Sequence, residues 1–122
     1  MARSLDLTSG DTIGITSGAG TSIDDIANGV PRARTQYNQS TPSVADSYNV
    51  DSISDDSAGT YTVTFTTDFA SANYVMAGMA AANVLVRRGA SQAAGSMEIQ
   101  TRGNTTDTLT DTTSYVIYQG DQ

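Results

Sequence analysis

The chain predicts an all-β protein: a small antiparallel β-sandwich of about seven strands, jelly-roll or immunoglobulin-like, with an extended N-terminal arm. Three observations predict it. Residues 59–66 alternate strictly, with Tyr61, Val63 and Phe65 set against Thr60, Thr62, Thr64 and Thr66. Successive strand side chains point to opposite faces, so this run has one buried face and one wet or partner-facing face. Similar short runs recur along the chain at spacings of about 8–12 residues between turn-forming clusters, the signal of a sandwich or barrel. Finally, Thr, Ser, Asn and Gly dominate the polar residues, a composition suited to strands and turns rather than helices.

Taken in order, residues 1–30 form the arm and residues 31–122 the sandwich module. The arm carries two short apolar–polar alternations, Leu5-Asp6-Leu7 and Thr12-Ile13-Gly14-Ile15, split by Ser9-Gly10-Asp11 and closed by Ser17-Gly18-Ala19-Gly20. Each is too short to build a sheet by itself, but either can add as a strand to another sheet's edge, where main-chain hydrogen bonds supply affinity. Leu5, Leu7, Ile13 and Ile15 are therefore read as a docking arm. One helical turn is expected over 22–28, capped by Ser22, with Asp24 and Asp25 in its first turn and Asn28-Gly29 as its stop.

The module opens after Pro31 with a strand over 32–37 that places Ala33, Thr35 and Tyr37 on one side. A loop over 39–45 holds Pro42. Tyr48-Asn49-Val50 begins the next strand, and residues 54–59 (SDDSAG) carry turn chemistry before the alternating strand through Phe65. The Asp24-Asp25 and Asp55-Asp56 pairs read as cap and turn residues. After a connection over 68–72, residues 74–79 suggest a strand buried on both faces. Residues 83–88 alternate weakly, 89–95 read as a loop, and 96–102 set Met97, Ile99 and Thr101 against Glu98, Gln100 and Arg102. A polar hairpin loop over 104–112 leads to the last strand at 113–118.

Within 47–75 the pattern SYNV-x-SI-x-D-x3-G-x-YTV-x-FTT-x-F-A-x-ANY resembles a β-module of tail-fibre and related virion structural proteins of tailed bacteriophages. Arg34-Thr35-Gln36-Tyr37-Asn38 is similar to that module's opening strand. The chain departs from the module in its turn, where residues 55–59 (DDSAG) stand in place of Asn-Gly. The resemblance implies a place on a virion and supplies no catalytic residues.

Composition narrows the chemistry further. The 122 residues include no histidine and no cysteine, so Ser-His-Asp and Cys-His nucleophilic sites, disulfides and the usual zinc ligand sets are excluded. The Gly-rich stretch over 14–22 lacks the lysine that a phosphate-binding loop requires. Neither Asp pair fits the calcium-loop spacing. No catalytic residue, cofactor or metal is expected. The formal net charge of −7, with six basic residues and thirteen acidic ones, disfavours nucleic-acid binding. No apolar run is long enough for membrane insertion, and Leu5-Asp6-Leu7 after Arg3 is not a secretion signal. Arg87-Arg88 stands out in so acidic a chain and is a candidate interface with an acidic neighbour.

These readings lead to an expectation. The protein is a non-enzymatic structural protein, synthesised in the host cytoplasm and placed on the exterior surface of a tailed-phage virion. It is a homotrimer docked by its arm to capsid or tail proteins, as a capsid decoration (cement) protein or short fibre. Large apolar residues are few, with only two Phe and no Trp, and a thin core favours oligomerisation. The alternative is the receptor-binding tip of a tail fibre, with loops 39–45, 89–95 and 103–112 on a host-surface glycan or protein.

Overall fold

Alternation decides which faces meet. The structure is a computed structural model that describes residues 29–81 and 84–122. The expected helical turn over 22–28 and the arm residues Leu5, Leu7, Ile13 and Ile15 lie outside the described residues. Eight strands follow in order: β1 (Ala33–Asn38), β2 (Ser43–Tyr48), β3 (Val50–Ser57), β4 (Thr60–Phe65), β5 (Val75–Ala80), β6 (Val84–Ala93), β7 (Ser96–Gly103) and β8 (Thr113–Gln119). They make two four-stranded antiparallel sheets. Sheet A has the order β2-β1-β8-β5 and sheet B the order β3-β4-β7-β6. The all-β sandwich expected from the sequence is therefore present, with one strand more than the spacing suggests. Its partition differs from the ABED and CFG split of an immunoglobulin domain. β4 lies beside β7 and not beside its successor β5, a Greek-key arrangement.

The core is drawn from the alternating runs. Tyr61, Val63 and Phe65 of β4, Met97 and Ile99 of β7, Ala33 and Tyr37 of β1, and Val116 and Tyr118 of β8 are all buried. Aromatic rings do most of the filling. Phe65 meets Phe69, Tyr118 and Tyr74 edge-on at 5.0, 5.1 and 5.7 Å between centroids, and Phe69 stacks on Tyr74 at 4.1 Å. Edge-on and offset contacts of this kind add to the hydrophobic gain of burying large rings. The shortage of Phe and Trp is thus made up by tyrosines, whose hydroxyls find partners: Tyr61 with Ser114 Oγ at 2.6 Å, and Tyr74 with the carbonyls of Ala93 and Ser96 at 2.9 and 2.8 Å. Burial pushes the Tyr61 and Tyr74 phenols up to about 12 and raises Tyr118 further, because a charged phenolate is disfavoured away from water.

Several local expectations need correction. β3 runs through Asp55 and Asp56 to Ser57, so the β3–β4 turn is only Ala58-Gly59. Asp56 falls at a register irregularity and accepts hydrogen bonds from Ser54 Oγ and Thr62 Oγ1 at 2.8 and 2.6 Å. Gly59 has φ +64°, and a Cβ there would meet the Thr101 carbonyl oxygen at 2.7 Å and the Leu109 carbonyl carbon at 2.8 Å. Residues 43–48, partly placed in a loop, form edge strand β2, and 89–93 continue β6 past an irregularity after Arg88. Residues 104–112 cross from sheet B to sheet A and so do not close a hairpin. β5 is exposed along one face, not buried on both.

Gln39, assigned to a loop, is one of the most buried polar residues, with 2% of its surface exposed. Its amide nitrogen donates to Ser57 O at 2.8 Å, Thr60 O at 3.1 Å and Asp55 Oδ1 at 3.1 Å. The β1–β2 connection of sheet A is thereby tied to the β3–β4 hairpin of sheet B.

Candidate interaction surface

The outer faces of the two sheets differ in chemistry. On sheet A, the registers β1–β2, β1–β8 and β5–β8 align two transverse rows. One runs Tyr48, Arg34, Ile117, Ala77 and the other Asp46, Gln36, Tyr115, Met79. Among the described residues eight large apolar side chains are exposed, and five of them, Tyr48, Val75, Met79, Tyr115 and Ile117, belong to this face. Val75 and Met79 are each 67% exposed, and Tyr115 and Ile117 each 42%. Such clustering, unlike scattered exposed apolar residues, marks a surface that meets another body. Between β1, β8 and β5 lies a shallow open trough of about 460 Å³, lined by Arg34, Met79, Tyr115 and Ile117 among others.

The charged rim of this face is organised. Arg34 Nε donates to Asp46 Oδ2 at 2.7 Å, and the Arg34 guanidinium carbon stands 5.6 Å from the Tyr48 ring centroid. That hydrogen bond holds the Asp46 carboxyl below its usual range and raises the Arg34 guanidinium. The pair is solvent-exposed, so it contributes little to stability. It fixes the orientation of a planar, aromatic-backed cation at the edge of an apolar field.

Sheet B turns a mostly polar face outward, built from Thr62 and Thr64 of β4 and Glu98, Gln100 and Arg102 of β7, with Leu85 of β6 exposed opposite Arg102. Arg87, one of the two arginines expected at an interface, lies here. Its Nε donates to Gln100 Oε1 at 3.4 Å, and its Nη1 is 3.7 Å from Asp107 Oδ1, which Arg102 also approaches at 3.5 Å. Arg87 is therefore engaged within its own sheet, and Arg88 is exposed beside it on β6. Glu98 accepts a hydrogen bond from the Ala90 amide at 2.8 Å, and its carboxylate fills the space where a Cβ on Gly89 would stand.

The turns divide between two ends. Gln39 N donates to Thr112 O at 3.2 Å, Gly59 N to Asp111 Oδ1 at 2.6 Å and Ala81 N to Thr113 O at 2.9 Å, which gathers the 39–42, 58–59 and 104–112 turns together. The 94–95 turn lies at the opposite end, where Phe65 N and Phe69 N donate to Gly95 O and Ala94 O. The three loops considered for receptor contact thus do not share one surface. The sheet A face was missed in the sequence because β5 and β8 are apolar on both sides of their alternation: Tyr115 and Ile117 point out while Val116 and Tyr118 point in. No family model, curated protein or solved structure matches the chain.

Proposed function

We propose that this chain is a non-enzymatic structural protein on the exterior of a tailed-phage virion, a trimeric capsid decoration (cement) protein or short fibre. The observation that carries the proposal is the asymmetry of the sandwich. Among the described residues, one sheet presents an apolar, tyrosine-edged face with one oriented ion pair, Arg34–Asp46, and the other presents a mostly polar, hydrogen-bonded face on which Leu85 is the one exposed large apolar residue. This suits a module that lies against a protein neighbour on one side and faces solvent on the other. The resemblance over 47–75 supplies the virion setting, and that stretch is the β3–β4 hairpin with the lead into β5. The apolar face of sheet A and the arm are the contacts made with capsid or tail proteins and with sister subunits.

The test is localisation in intact particles. Gold-labelled antibody against the sandwich should decorate purified virions at regular positions on the shell or along a short fibre in electron micrographs. Its absence from purified particles, with the protein left in the lysate, would refute the virion reading.

A further inference from the structure

The four sheet edges are not equivalent. β2 carries Asp46 and a register irregularity in its pairing with β1. β3 carries Asp51, Asp55 and Asp56 and two irregularities, and β6 carries Arg87 and Arg88 with an irregularity after Arg88. Charges and bulges of this kind keep open edges from pairing with other chains. β5 has neither. Its sequence is VMAGMA, and its six-residue register with β8 is unbroken.

The β5 edge is also open in its hydrogen bonding. Ala81 N donates to Thr113 O at 2.9 Å, which marks 81 and 113 as a hydrogen-bonded pair. By antiparallel alternation Val75, Ala77 and Met79 then bond to β8, and Met76, Gly78 and Ala80 turn their N–H and C=O groups away from it. Gly78 is exposed even though a side chain at that position would point inward. A fifth strand can be accepted there.

The chain contains a segment of matching length and chemistry. Thr12-Ile13-Gly14-Ile15-Thr16 sets Ile13 and Ile15 against Thr12, Gly14 and Thr16 and is free of charge. Val30 is exposed, nothing lies within 4 Å of a Cβ placed on Gly29, and Arg32 N is held by Tyr118 O at 2.8 Å. Residues 29–30 therefore stand open to solvent ahead of β1, with β8 between them and their own β5. Arg32 Nε, at this point of departure, is buried with no hydrogen-bond partner among the described residues. The sixteen positions between Thr16 and Arg32 can span up to about 50 Å when extended, which reaches well past one sandwich.

We infer that the segment 12–16 of one copy adds as an antiparallel strand to the β5 edge of a neighbouring copy. Ile13 and Ile15 then stand beside Val75, Ala77 and Met79, extending the apolar face of sheet A by one strand. The contact joins two different surfaces, so it is heterologous and closes into a ring when the rotation permits. This deepens the reading of the chain as an assembling structural protein and names the partner of its arm.

The chain has no cysteine, so introduced thiols report on this contact without interference. Ala77 falls at a non-hydrogen-bonded position toward an added strand, where opposed Cα atoms lie about 4.5 Å apart, within disulfide range. Full-length Ile13→Cys and Ala77→Cys chains are purified separately, mixed at micromolar concentration, oxidised and run without reductant. The expected result is a covalent dimer linked 13 to 77, identified by mass spectrometry, with at least tenfold less product when Thr64→Cys on the sheet B face replaces Ala77→Cys. Met79→Cys, at an equally outward position, repeats the test if Ala77→Cys does not fold. No 13–77 product, equal product with Thr64→Cys, or a predominant 77–77 product would overturn the inference. So would a double variant that links within one chain while the mixture gives no dimer. Because the experiment uses purified protein alone, its failure leaves the virion reading standing, and absence from particles leaves the arm contact standing.

Discussion

Replacing Gln39 by leucine tests how the two sheets are tied at one end of the sandwich. The leucine is close in size, so packing is nearly kept and the change falls on hydrogen bonds. The two amide protons of Gln39 serve Ser57 O, Thr60 O and Asp55 Oδ1. Asp55 and Ser57 are exposed and turn to water. Thr60 is buried, and its carbonyl loses this donor in a place water does not reach. Thr101 Oγ1 still donates to Thr110 O at 2.7 Å, so its weaker contact with Gln39 at 3.4 Å is dispensable. A net loss of roughly 1 kcal/mol for each of two good bonds, plus roughly 1–2 kcal/mol for a buried Thr60 carbonyl left with only its β3–β4 ladder partner, is partly offset by about 1.5–3 kcal/mol of apolar burial. The expected destabilisation is about 1 kcal/mol. With a urea m-value of roughly 1–1.5 kcal/mol/M for a domain this small, the unfolding midpoint falls by about 0.7–1 M at unchanged m. Gln39→Glu should lose more, because it sets a carboxylate against Asp55 and two carbonyl oxygens. A Gln39→Leu midpoint within about 0.3 M of the parent, or a Gln39→Glu variant as stable as Gln39→Leu, would refute this account of the tie.

Four further outcomes are expected. Gly59→Ala, which combines φ +64° with backbone contacts at 2.7 and 2.8 Å, should destabilise the fold by more than about 1 kcal/mol in thermal or urea unfolding; an unchanged melting temperature would contradict the tight hairpin packing. Tyr61 and Tyr74 hold their protons up to about pH 12 in the fold and up to about pH 10 when unfolded, so the folded state binds more protons between those values. Stability is therefore fully present below pH 10 and falls as pH rises from 10 to 12, read by circular dichroism across an alkaline titration; a flat profile there would exclude the buried phenols as its cause. Tyr115→Thr combined with Ile117→Thr keeps strand-forming residues on the outer face of sheet A, so it should change stability by less than about 1 kcal/mol while lowering incorporation into particles several-fold; full incorporation would move the docking site elsewhere. Sedimentation of the purified chain at micromolar concentration should give a trimer, and a clean monomer that also fails to associate on particles would count against the proposed assembly.

Much of the fold was legible because burial leaves a period in the sequence. The runs Tyr61-Val63-Phe65, Met97-Ile99-Thr101 and Ala33-Thr35-Tyr37 each fill one side of a strand, and all nine residues are buried. β2 left no such trace. It is exposed at all six positions, so SVADSY carries no alternation, and its residues 43–45 read as loop. The continuation of β6 through Gly89 and Gln92 was hidden for a similar reason, since its register breaks where small and polar residues replace apolar ones. Gln39 could not have been recognised as buried, because its partners Asp55, Ser57 and Thr60 come from a hairpin some twenty residues away. The outer face of sheet A was illegible for the opposite reason. In 75–80 and 115–118 apolar residues occupy both sides, and sequence cannot say which side the other sheet covers. The arm residues Leu5, Leu7, Ile13 and Ile15 were read from alternation alone, and the cross-link probes Ile13 among them.

The placement of β1 has a mechanical consequence. β1 lies inside sheet A, bonded to β2 along one side and to β8 along the other, and the arm continues directly from its first residues. A pull transmitted through the arm therefore acts lengthwise on β1. Its hydrogen bonds lie across the strand and are perpendicular to such a load, so both ladders must yield together. The same pull applied to an edge strand at a right angle would open one bond after another, like a zip. Under the docking proposed above, a tether joined to this interior strand would be loaded in shear and would give way all at once rather than bond by bond.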